Sequence, residues 1–394
     1  MIVKQYQEML NAKSVIREMF AYGTARAKEI GYDNVFDYSL GNPSVPVPEA
    51  FTLAMTDMLQ KTEPAKLHGY SPGLGIDNVR EAVAASLRQR FEIDYTKDHI
   101  FMTSGAASSL AHAFRAVTEP GDTILTFAPY FPEYGPYVNL TGARLKVVPP
   151  DLQGFQVDFD KFNALLTKDV TAVLLNTPNN PSGMVYSEKT MRKIARMLTE
   201  KEKEFGHEIY LISDEPYREI VFDQTEVPYP AAIYDRTITC YSFSKSLSLP
   251  GERIGYVAVS PKCENARLII DICGQISRGI GHNCPSSIIQ MAVAEVLDLT
   301  ADIGIYETNR NLLYEKLISL GFSCIKPQGT FYMFPKSPEK DAAAFCKKAM
   351  EYDLLLVPGD TFGCPGYFRI AYCVDTQKIS RSFAAFEQLA LYYQ

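Results

Sequence analysis

The chain has 394 residues, of which 46% are hydrophobic and 22% are charged, and its formal net charge is −7. These proportions are ordinary for a soluble globular protein with a sizeable core. The acidic balance argues against nucleic acid or an anionic membrane surface as the main partner, because both require a basic face.

The length predicts two or three domains of roughly 150 residues each, or one large α/β domain with a smaller one. No apolar stretch with a small-residue cleavage site opens the chain, and no run of about 18 apolar residues occurs, so neither a secretory signal nor a transmembrane helix is expected. The eight cysteines form no C-x-x-C pair, and the five histidines show no metal-ligand spacing. We therefore expect reduced thiols, no metal site and a cytoplasmic location.

Short apolar segments rich in β-formers alternate with helical patterns between about residues 76 and 260. The predicted strands are His99–Thr103, Thr123–Phe127, Arg144–Val148, Val170–Asn176, Glu208–Ser213, Thr237–Ser242 and Ile254–Ser260. Helical periodicity marks the stretches between them, such as Ala107–Val117 and Glu188–Phe205. This alternation predicts an α/β fold with a mostly parallel seven-stranded sheet sandwiched by helices. A loop joins the last two strands, which makes Ile254–Ser260 a candidate for an antiparallel strand.

The region from about residue 300 to 394 has a different pattern. Its predicted elements are helices at Tyr306–Leu320, Asp341–Glu351 and Gln377–Tyr392, and short strands near Gly329–Phe334 and Tyr367–Ala371. This mixture predicts a smaller α+β domain, to which the N-terminal arm is added. The predicted division is a large domain over 45–295 and a small domain formed by 1–44 and 296–394.

Ligands of parallel α/β sheets bind beyond the carboxyl ends of the strands, so the residues that follow each strand are site candidates. Ser104–Ser109 is a run of small residues that opens a helix, where backbone N–H groups favour a phosphate, although a serine-capped turn is the alternative. The aromatic residues of Pro129–Tyr134 stack on a planar ring or belong to the core. The asparagines of Thr177–Gly183 form a turn before proline or hydrogen-bond a ring oxygen.

Two charged residues follow the next two strands. A carboxylate at Asp214 is expensive when buried unless it has a positive partner such as a protonated pyridine nitrogen; a loop aspartate or helix cap is the alternative. Burial of Lys245 among small hydroxyl residues should lower its pKa and suit a covalent bond to a carbonyl carbon. The nearby serines and Arg253 suit a phosphate. The alternative for Lys245 is an exposed loop lysine.

The motifs that follow the successive strands, taken in their order along the chain, together resemble those of one protein family. Four segments carry the resemblance: Ser39–Pro43, Asn179–Gly183, Asp214–Tyr217 and Ser242–Gly255. Along nearly its whole length the chain resembles the class I/II (fold type I) aminotransferases that depend on pyridoxal 5′-phosphate (PLP), and it is aspartate-aminotransferase-like. The resemblance implies PLP as cofactor, an amino acid and a 2-oxo acid as substrates, and a homodimer with shared active sites.

The resemblance also implies individual roles. The expected catalytic residues are Lys245, which links PLP and shuttles the substrate proton, Asp214, which pairs with the pyridinium nitrogen, and Tyr217. The expected cofactor-binding residues are Tyr70, Gly105, Ala106, Ala107, Phe131, Asn180, Asp214, Tyr217, Ser242, Ser244, Lys245 and Arg253. Among them, Tyr217 and Asn180 contact the phenolic oxygen, Phe131 stacks on the ring, and Tyr70 reaches the phosphate of a partner subunit.

The expected substrate-binding residues are Gly41, Asn180, Arg369 and Arg278. Arg369 would clamp the substrate α-carboxylate, beside a backbone donor at Gly41; an interdomain salt bridge is the alternative for Arg369. Arg278 is the candidate for binding a distal carboxylate across the dimer, as an aspartate-type enzyme requires. If Arg278 is instead a surface or dimer-contact residue, a neutral amino acid becomes the favoured substrate.

The function predicted from the sequence is a ping-pong PLP-dependent aminotransferase, with aspartate or another dicarboxylic acid as a candidate substrate. The alternative enzyme is a C–S β-lyase, cystathionine β-lyase-like, on the same fold, because both reactions begin when Lys245 removes the α-proton. The products distinguish them: an oxo acid for the transaminase, and pyruvate with ammonia and a thiol for the lyase. A PLP-binding regulatory domain is a third possibility, but no basic helix-turn-helix extension accompanies this sequence.

Overall fold

The structure is a computed structural model that describes residues 2–11 and 14–394. Its strands are β1 (Phe36–Asp37), β2 (Ile100–Thr103), β3 (Thr123–Phe127), β4 (Arg144–Val148), β5 (Val170–Asn176), β6 (Tyr210–Asp214), β7 (Thr237–Ser242), β8 (Gly255–Val259), β9 (Tyr332–Met333), β10 (Leu354–Leu355), β11 (Val357–Pro358) and β12 (Phe368–Ala371).

The α-helices are α1 (Lys4–Asn11), α2 (Val15–Ile30), α3 (Glu49–Lys61), α4 (Pro64–His68), α5 (Asp77–Phe91), α6 (Ala106–Val117), α7 (Tyr134–Asn139), α8 (Phe159–Leu165), α9 (Glu188–Phe205), α10 (Pro230–Ile233), α11 (Phe243–Ser246), α12 (Ala266–Gly279), α13 (Ser287–Ala294), α14 (Gly304–Ser319), α15 (Ala342–Met350) and α16 (Thr376–Tyr392). Among the described residues, none of these helices has the length and apolar character needed to cross a membrane.

The main sheet has seven strands in the order β2-β8-β7-β6-β5-β3-β4. Strand β8 runs antiparallel to both β2 and β7, and the other neighbouring pairs are parallel. Both predictions, the mostly parallel seven-stranded sheet and the antiparallel last strand, are confirmed. Strands β2, β3 and β7 are buried at every position, as expected for a sheet with helices on both faces.

The register of the central strands brings Asn176 and Asp214, the last residues of β5 and β6, side by side, close to the end of β7. In the parallel pair β5–β6, Asn176 is opposite Asp214, and in β6–β7, Asp214 is opposite Cys240. The carboxyl ends of these strands therefore form one edge of the sheet, where a parallel fold places its ligand.

Strand β6 begins and ends later than the predicted Glu208–Ser213. At its start, the Ile209 N–H donates to the Glu202 carboxylate of α9 at 2.9 Å, so this residue is bonded to a helix side chain and not to a neighbouring strand. At its end, Asp214 still pairs with both neighbouring strands. The catalytic candidate is thus the last residue of the strand, and the backbone of the sheet holds it in place.

Two smaller sheets lie outside the main one. Strand β1 pairs in parallel with β10, and β12 pairs antiparallel with β11 and β9. One apolar core joins Tyr38 from the N-terminal segment to Phe345, Phe368 and Phe386 from the C-terminal region, and it extends to Tyr217 after β6. This packing brings β9 and β12 close to the carboxyl edge of the main sheet.

Candidate active site

A cavity of about 290 Å³ lies at the carboxyl ends of β5, β6 and β7, beside the start of α6. Segments from β9, β12 and the loop after β1 close its other side. Twelve of the residues expected from the sequence line it, namely Gly41, Ala106, Ala107, Phe131, Asn180, Asp214, Tyr217, Ser242, Ser244, Lys245, Arg253 and Arg369. The fold therefore brings residues from most of the chain to one place.

Asp214 is a buried carboxylate with one satisfied oxygen. Its Oδ2 accepts a hydrogen bond from the Tyr134 hydroxyl at 2.6 Å, whereas its Oδ1 is buried without a partner. Burial raises the pKa of Asp214 to about 7; the Tyr134 hydrogen bond opposes this rise, and the negative charge of Glu215 adds to it. A cationic N–H donor in the cavity would satisfy Oδ1 and stabilise the ionised form.

Lys245 lies in α11, directly after β7, and points into the same cavity. Its Nζ donates to the Gly41 carbonyl at 2.7 Å and lies 5.5 Å from the centre of the Phe331 ring. Burial lowers the pKa of Lys245 to about 8, and the positive charges of Arg253 and Arg369 contribute to the same change. A larger fraction of Lys245 than of an exposed lysine is therefore the neutral amine near neutral pH, and this is the form that acts as nucleophile and base.

An anion-binding arrangement surrounds the start of α6. Gly105 precedes the helix with φ of 88°, and a Cβ added there would lie 2.8 Å from Arg253 Nη2. Arg253 donates to the carbonyls of Pro250 at 2.9 Å and Ser104 at 3.0 Å, and it has no carboxylate partner among the described residues. A helix N-terminus beside a cation unpaired with any carboxylate suits a phosphate.

Two serines complete this arrangement. The Ser242 hydroxyl donates to the Ser244 Oγ at 2.8 Å and accepts from the Ser244 N–H at 3.2 Å. Arg253 Nη1 is 3.5 Å from the Ser244 Oγ. The hydroxyls thus stand between the helix and the guanidinium, where they add donors for an anion.

Three further polar residues, Tyr217, Tyr332 and Asn180, line the same cavity. The hydroxyls of Tyr217 and Tyr332 are 3.2 Å apart. The Asn180 N–H donates to the Asn176 Oδ1 at 2.7 Å, which fixes the backbone of the turn after β5. These side chains supply neutral hydrogen-bonding groups at a position where a ring oxygen can be bound.

Arg369, in β12, is 2% exposed and has no carboxylate partner among the described residues. Its guanidinium donates to the Asn180 Oδ1 at 3.1 Å and to the Ser39 carbonyl at 2.5 Å, while its Nε has no partner. Its guanidinium carbon lies 4.6 Å from the centre of the Tyr332 ring and 4.8 Å from that of Phe362. A buried arginine held between two rings, with an unused donor, is suited to bind a carboxylate.

Gly41 is placed where a side chain does not fit. A Cβ at this position would lie 1.8 Å from the Tyr332 hydroxyl. The glycine therefore lets its backbone approach both Tyr332 and Lys245, and it holds the lysine through its carbonyl.

Three expected residues do not line this cavity. Gly105 lies directly before α6, beside Arg253, at the edge of the site. Tyr70 is fully exposed in a loop next to the 283–288 segment, and Arg278 is exposed in the last turn of α12. A single chain brings neither into the cavity. Their expected roles both involve a second subunit and stay predictions.

Tyr134 and Tyr332 are among the residues at the site that were not expected from the sequence. The Tyr134 hydroxyl donates a hydrogen bond to Asp214. Tyr134 belongs to the aromatic segment Pro129–Tyr134 after β3, so inspection of the residues that follow each strand could have identified it. Tyr332 lines the cavity from β9, in a separate sheet, and its sequence neighbourhood gives no sign of a contact with Tyr217.

Comparison with known proteins identifies the family and several relatives of this chain. A model of the family described as aminotransferase class I and II matches residues 33–386. The crystal structure of an amino transferase from Eubacterium rectale is 44% identical, with a TM-score of 0.97 and 100% of each chain covered. The aspartate aminotransferase of Thermotoga maritima is 29% identical over 363 residues, covering 90% of this chain and 91% of that protein.

A third relative, aromatic-amino-acid aminotransferase 2 of Thermococcus litoralis, is 29% identical and covers 97% of this chain and 96% of that protein. The names of these relatives favour a transaminase over the C–S lyase alternative. The match of the family model to most of the chain confirms the resemblance found in the sequence motifs. This chain belongs to the aminotransferase class I and II family.

Proposed function

We propose that this aminotransferase binds PLP in the cavity at the sheet edge and moves an amino group between an L-amino acid and a 2-oxo acid by a ping-pong mechanism. The unpartnered Oδ1 of buried Asp214 is the observation that carries the proposal. A buried carboxylate oxygen without a donor is costly, and a protonated pyridine nitrogen supplies the missing donor and charge.

The residues around the cavity fit the other parts of the same cofactor. Arg253, the start of α6 and the two serines form a cup for its phosphate. Tyr217 and Asn180 are the candidates for binding its phenolic oxygen, and Phe131 for stacking on its ring. The amine of Lys245, held by the Gly41 carbonyl, lies in the same cavity, where it can bond to the carbonyl carbon of the cofactor.

When bound, PLP supplies an electron-withdrawing ring that stabilises negative charge at the substrate Cα. The ionised Asp214 keeps the pyridine nitrogen protonated, which maintains that property. Lys245 is the base that removes the α-proton and the acid that returns it, and the Gly41 carbonyl orients its amine. Arg369 binds the substrate α-carboxylate and so fixes the Cα relative to Lys245.

We propose further that the preferred amino acid has a neutral side chain. The cations that line the cavity are Lys245, Arg253 and Arg369, each of which already has a proposed role, and the apolar residues Ile16 and Leu40 also line it. A dicarboxylate substrate would require Arg278 to reach across a dimer. The apolar lining therefore supports a substrate that needs no second cation.

Addition of single amino acids to the PLP-loaded protein, without any oxo acid, tests both proposals. We expect neutral or aromatic amino acids to bleach the yellow absorbance band, and a 2-oxo acid to restore it. Bleaching by aspartate or glutamate alone would contradict the neutral preference and give Arg278 the distal-carboxylate role. Release of pyruvate from a cysteine conjugate with the yellow band retained would contradict transamination itself.

Replacement of Arg369 by lysine is expected to lower kcat/KM for the amino acid by about 10- to 100-fold, mainly through KM. Lysine keeps the charge but loses a charge-assisted hydrogen bond, which contributes about 1.5–3 kcal/mol. Steady-state kinetics checks this, with Arg381→Lys on α16, where the arginine is paired with Asp33, as the matched control. Unchanged KM in Arg369→Lys would count against the carboxylate role.

The lowered pKa of Lys245 predicts how the uptake of PLP by the apoprotein depends on pH. Only the neutral amine attacks a carbonyl, so the rate of covalent capture should rise about tenfold per pH unit below about 8 and level off above it. Rapid-mixing absorbance measures this rate. A rate that keeps rising steeply above about pH 9, as for an ordinary lysine, would contradict the proposed environment.

We also propose a cytoplasmic homodimer in which Tyr70 contributes to the phosphate site of the other subunit. The full exposure of Tyr70 supports the contact, and eight free thiols, six of them buried, support a reducing compartment. We also propose that the chain divides into a large domain, 45–295, and a small domain formed by 1–44 and 296–394.

A further inference from the structure

The turn after β6 presents different residues to its two sides. Asp214 and Tyr217 line the cavity, whereas Glu215 and Arg218 are buried on the other side of the sheet. Glu215 is 2% exposed and Arg218 is 5% exposed, and neither is among the cavity residues. A charged pair therefore lies directly behind the proposed cofactor site.

Glu215 and Arg218 form a buried ion pair. Arg218 Nε and Nη2 lie 2.6 Å and 2.5 Å from the Glu215 Oε2. The Glu215 Oε1 also accepts a hydrogen bond from the Thr239 hydroxyl at 3.3 Å, and Arg218 Nη1 donates to the Tyr256 hydroxyl at 3.2 Å. Aromatic rings enclose the guanidinium, with the Tyr241 ring centre at 4.6 Å.

Arg218 is the one cation paired with Glu215 in the described part of the chain. The other carboxylate of this turn, Glu219, is paired with Arg90 at 2.9 Å and accepts from the Tyr241 hydroxyl at 2.9 Å. Asp214, on the cavity side of the sheet, accepts a hydrogen bond from the Tyr134 hydroxyl. The further titratable groups packed around Asp214 and the ion pair are Tyr95, Tyr137, Tyr217, Tyr229, Tyr256 and Cys240.

Loss of Arg218 would leave an unpaired buried carboxylate next to Asp214. Two neighbouring carboxylates in a low-dielectric interior resist joint ionisation. The negative charge of Glu215 already contributes to the raised pKa of Asp214, although Arg218 is present. Because Arg218 neutralises Glu215, its removal is expected to strengthen this effect on Asp214.

We propose that Arg218 is a positioning residue whose charge, by neutralising Glu215, keeps Asp214 ionised opposite the pyridine nitrogen of the bound cofactor. The inference rests on the proposed function, since it concerns the carboxylate that holds that nitrogen. It also explains why a buried ion pair, which is weak evidence for stability by itself, occupies the turn that carries two cavity residues.

The test compares two variants, one that removes the positive charge of the ion pair and one that removes the negative charge. Arg218→Met and Glu215→Gln break the same ion pair but leave opposite charges behind. We measure the affinity of each apoprotein for pyridoxamine 5′-phosphate as a function of pH, because this compound has the ring nitrogen and phosphate but forms no covalent link with Lys245. Binding should strengthen as pH rises through the pKa of Asp214, and this midpoint is the readout.

We expect the midpoint to shift upward by about one pH unit in Arg218→Met, which is about tenfold weaker binding below the midpoint, and downward in Glu215→Gln. The double variant should return close to the parent midpoint. Glu219→Gln, which removes a carboxylate from the same turn but one paired with another arginine, is the matched control and should not shift. Glu215→Gln is nearly isosteric, so its downward shift remains a test if Arg218→Met does not fold.

Shifts of both single variants in the same direction, or a double variant no closer to the parent than Arg218→Met, would overturn the inference and leave the ion pair a purely structural role. Failure of the parent apoprotein to bind pyridoxamine 5′-phosphate at any pH would instead overturn the proposed function. The two failures are therefore distinguishable in one set of titrations.

Discussion

Replacement of Lys245 by alanine is expected to reduce transamination by at least about 10⁴-fold while the protein remains folded. The residue supplies both the covalent attachment and the acid–base group, and general acid–base catalysis alone contributes about 10²–10⁴-fold. The half-buried amine makes one hydrogen bond, to the Gly41 carbonyl, and one contact with the Phe331 ring, so the circular dichroism spectrum and melting temperature should stay close to those of the parent.

Lys262→Ala is the matched control for this variant, because Lys262 is exposed beyond β8 and remote from the cavity residues. It should leave turnover unchanged. Substantial turnover by Lys245→Ala without an added small amine would refute the role of Lys245. Partial recovery on addition of methylamine would support a missing base and not a collapsed site.

Replacement of Asp214 by asparagine is expected to retain PLP but reduce kcat by about 10³-fold. Asparagine has nearly the same shape and can still accept from Tyr134, but it has no charge to keep the pyridine nitrogen protonated. Removal of one preorganised electrostatic group from an active site typically costs about 10²–10³-fold in rate. Cofactor content by absorbance, together with kcat, separates binding from catalysis.

Asp235→Asn serves as the control, since Asp235 is exposed just before β7, at the opposite end of the sheet from the cavity. Near-normal turnover in Asp214→Asn would contradict the proposed pairing with the ring nitrogen. Loss of PLP together with activity would show a binding role in place of the electrostatic one.

Much of the main sheet was predictable because most of its strands are short buried segments rich in β-formers that alternate with helical patterns. Asp214 and Lys245 could be found by inspecting the residues that follow β6 and β7, since a parallel sheet brings such ends to one edge. The exact end of β6 was not predictable, because the Glu202 side chain bonds Ile209 in place of a strand partner.

The partners of these residues were harder to predict, because they depend on contacts between distant segments. Tyr134 reaches Asp214 from a point 80 residues earlier in the chain, and Tyr332 reaches Tyr217 from a point 115 residues later. No periodicity or spacing specifies such pairs. For the same reason, the role of Arg278 cannot be derived from the sequence pattern. Its expected contact lies in a second subunit, and the pattern of one chain does not position that subunit.

Borohydride reduction of the PLP-loaded protein, followed by digestion and peptide mass spectrometry, tests the central claim most directly. The reduction makes the link between cofactor and amine permanent, so the modified residue can be identified. We predict that the cofactor is found on the peptide that contains Lys245, in near-stoichiometric yield. A cofactor attached to a different lysine, or a protein that takes up PLP without any modified lysine, would contradict the account.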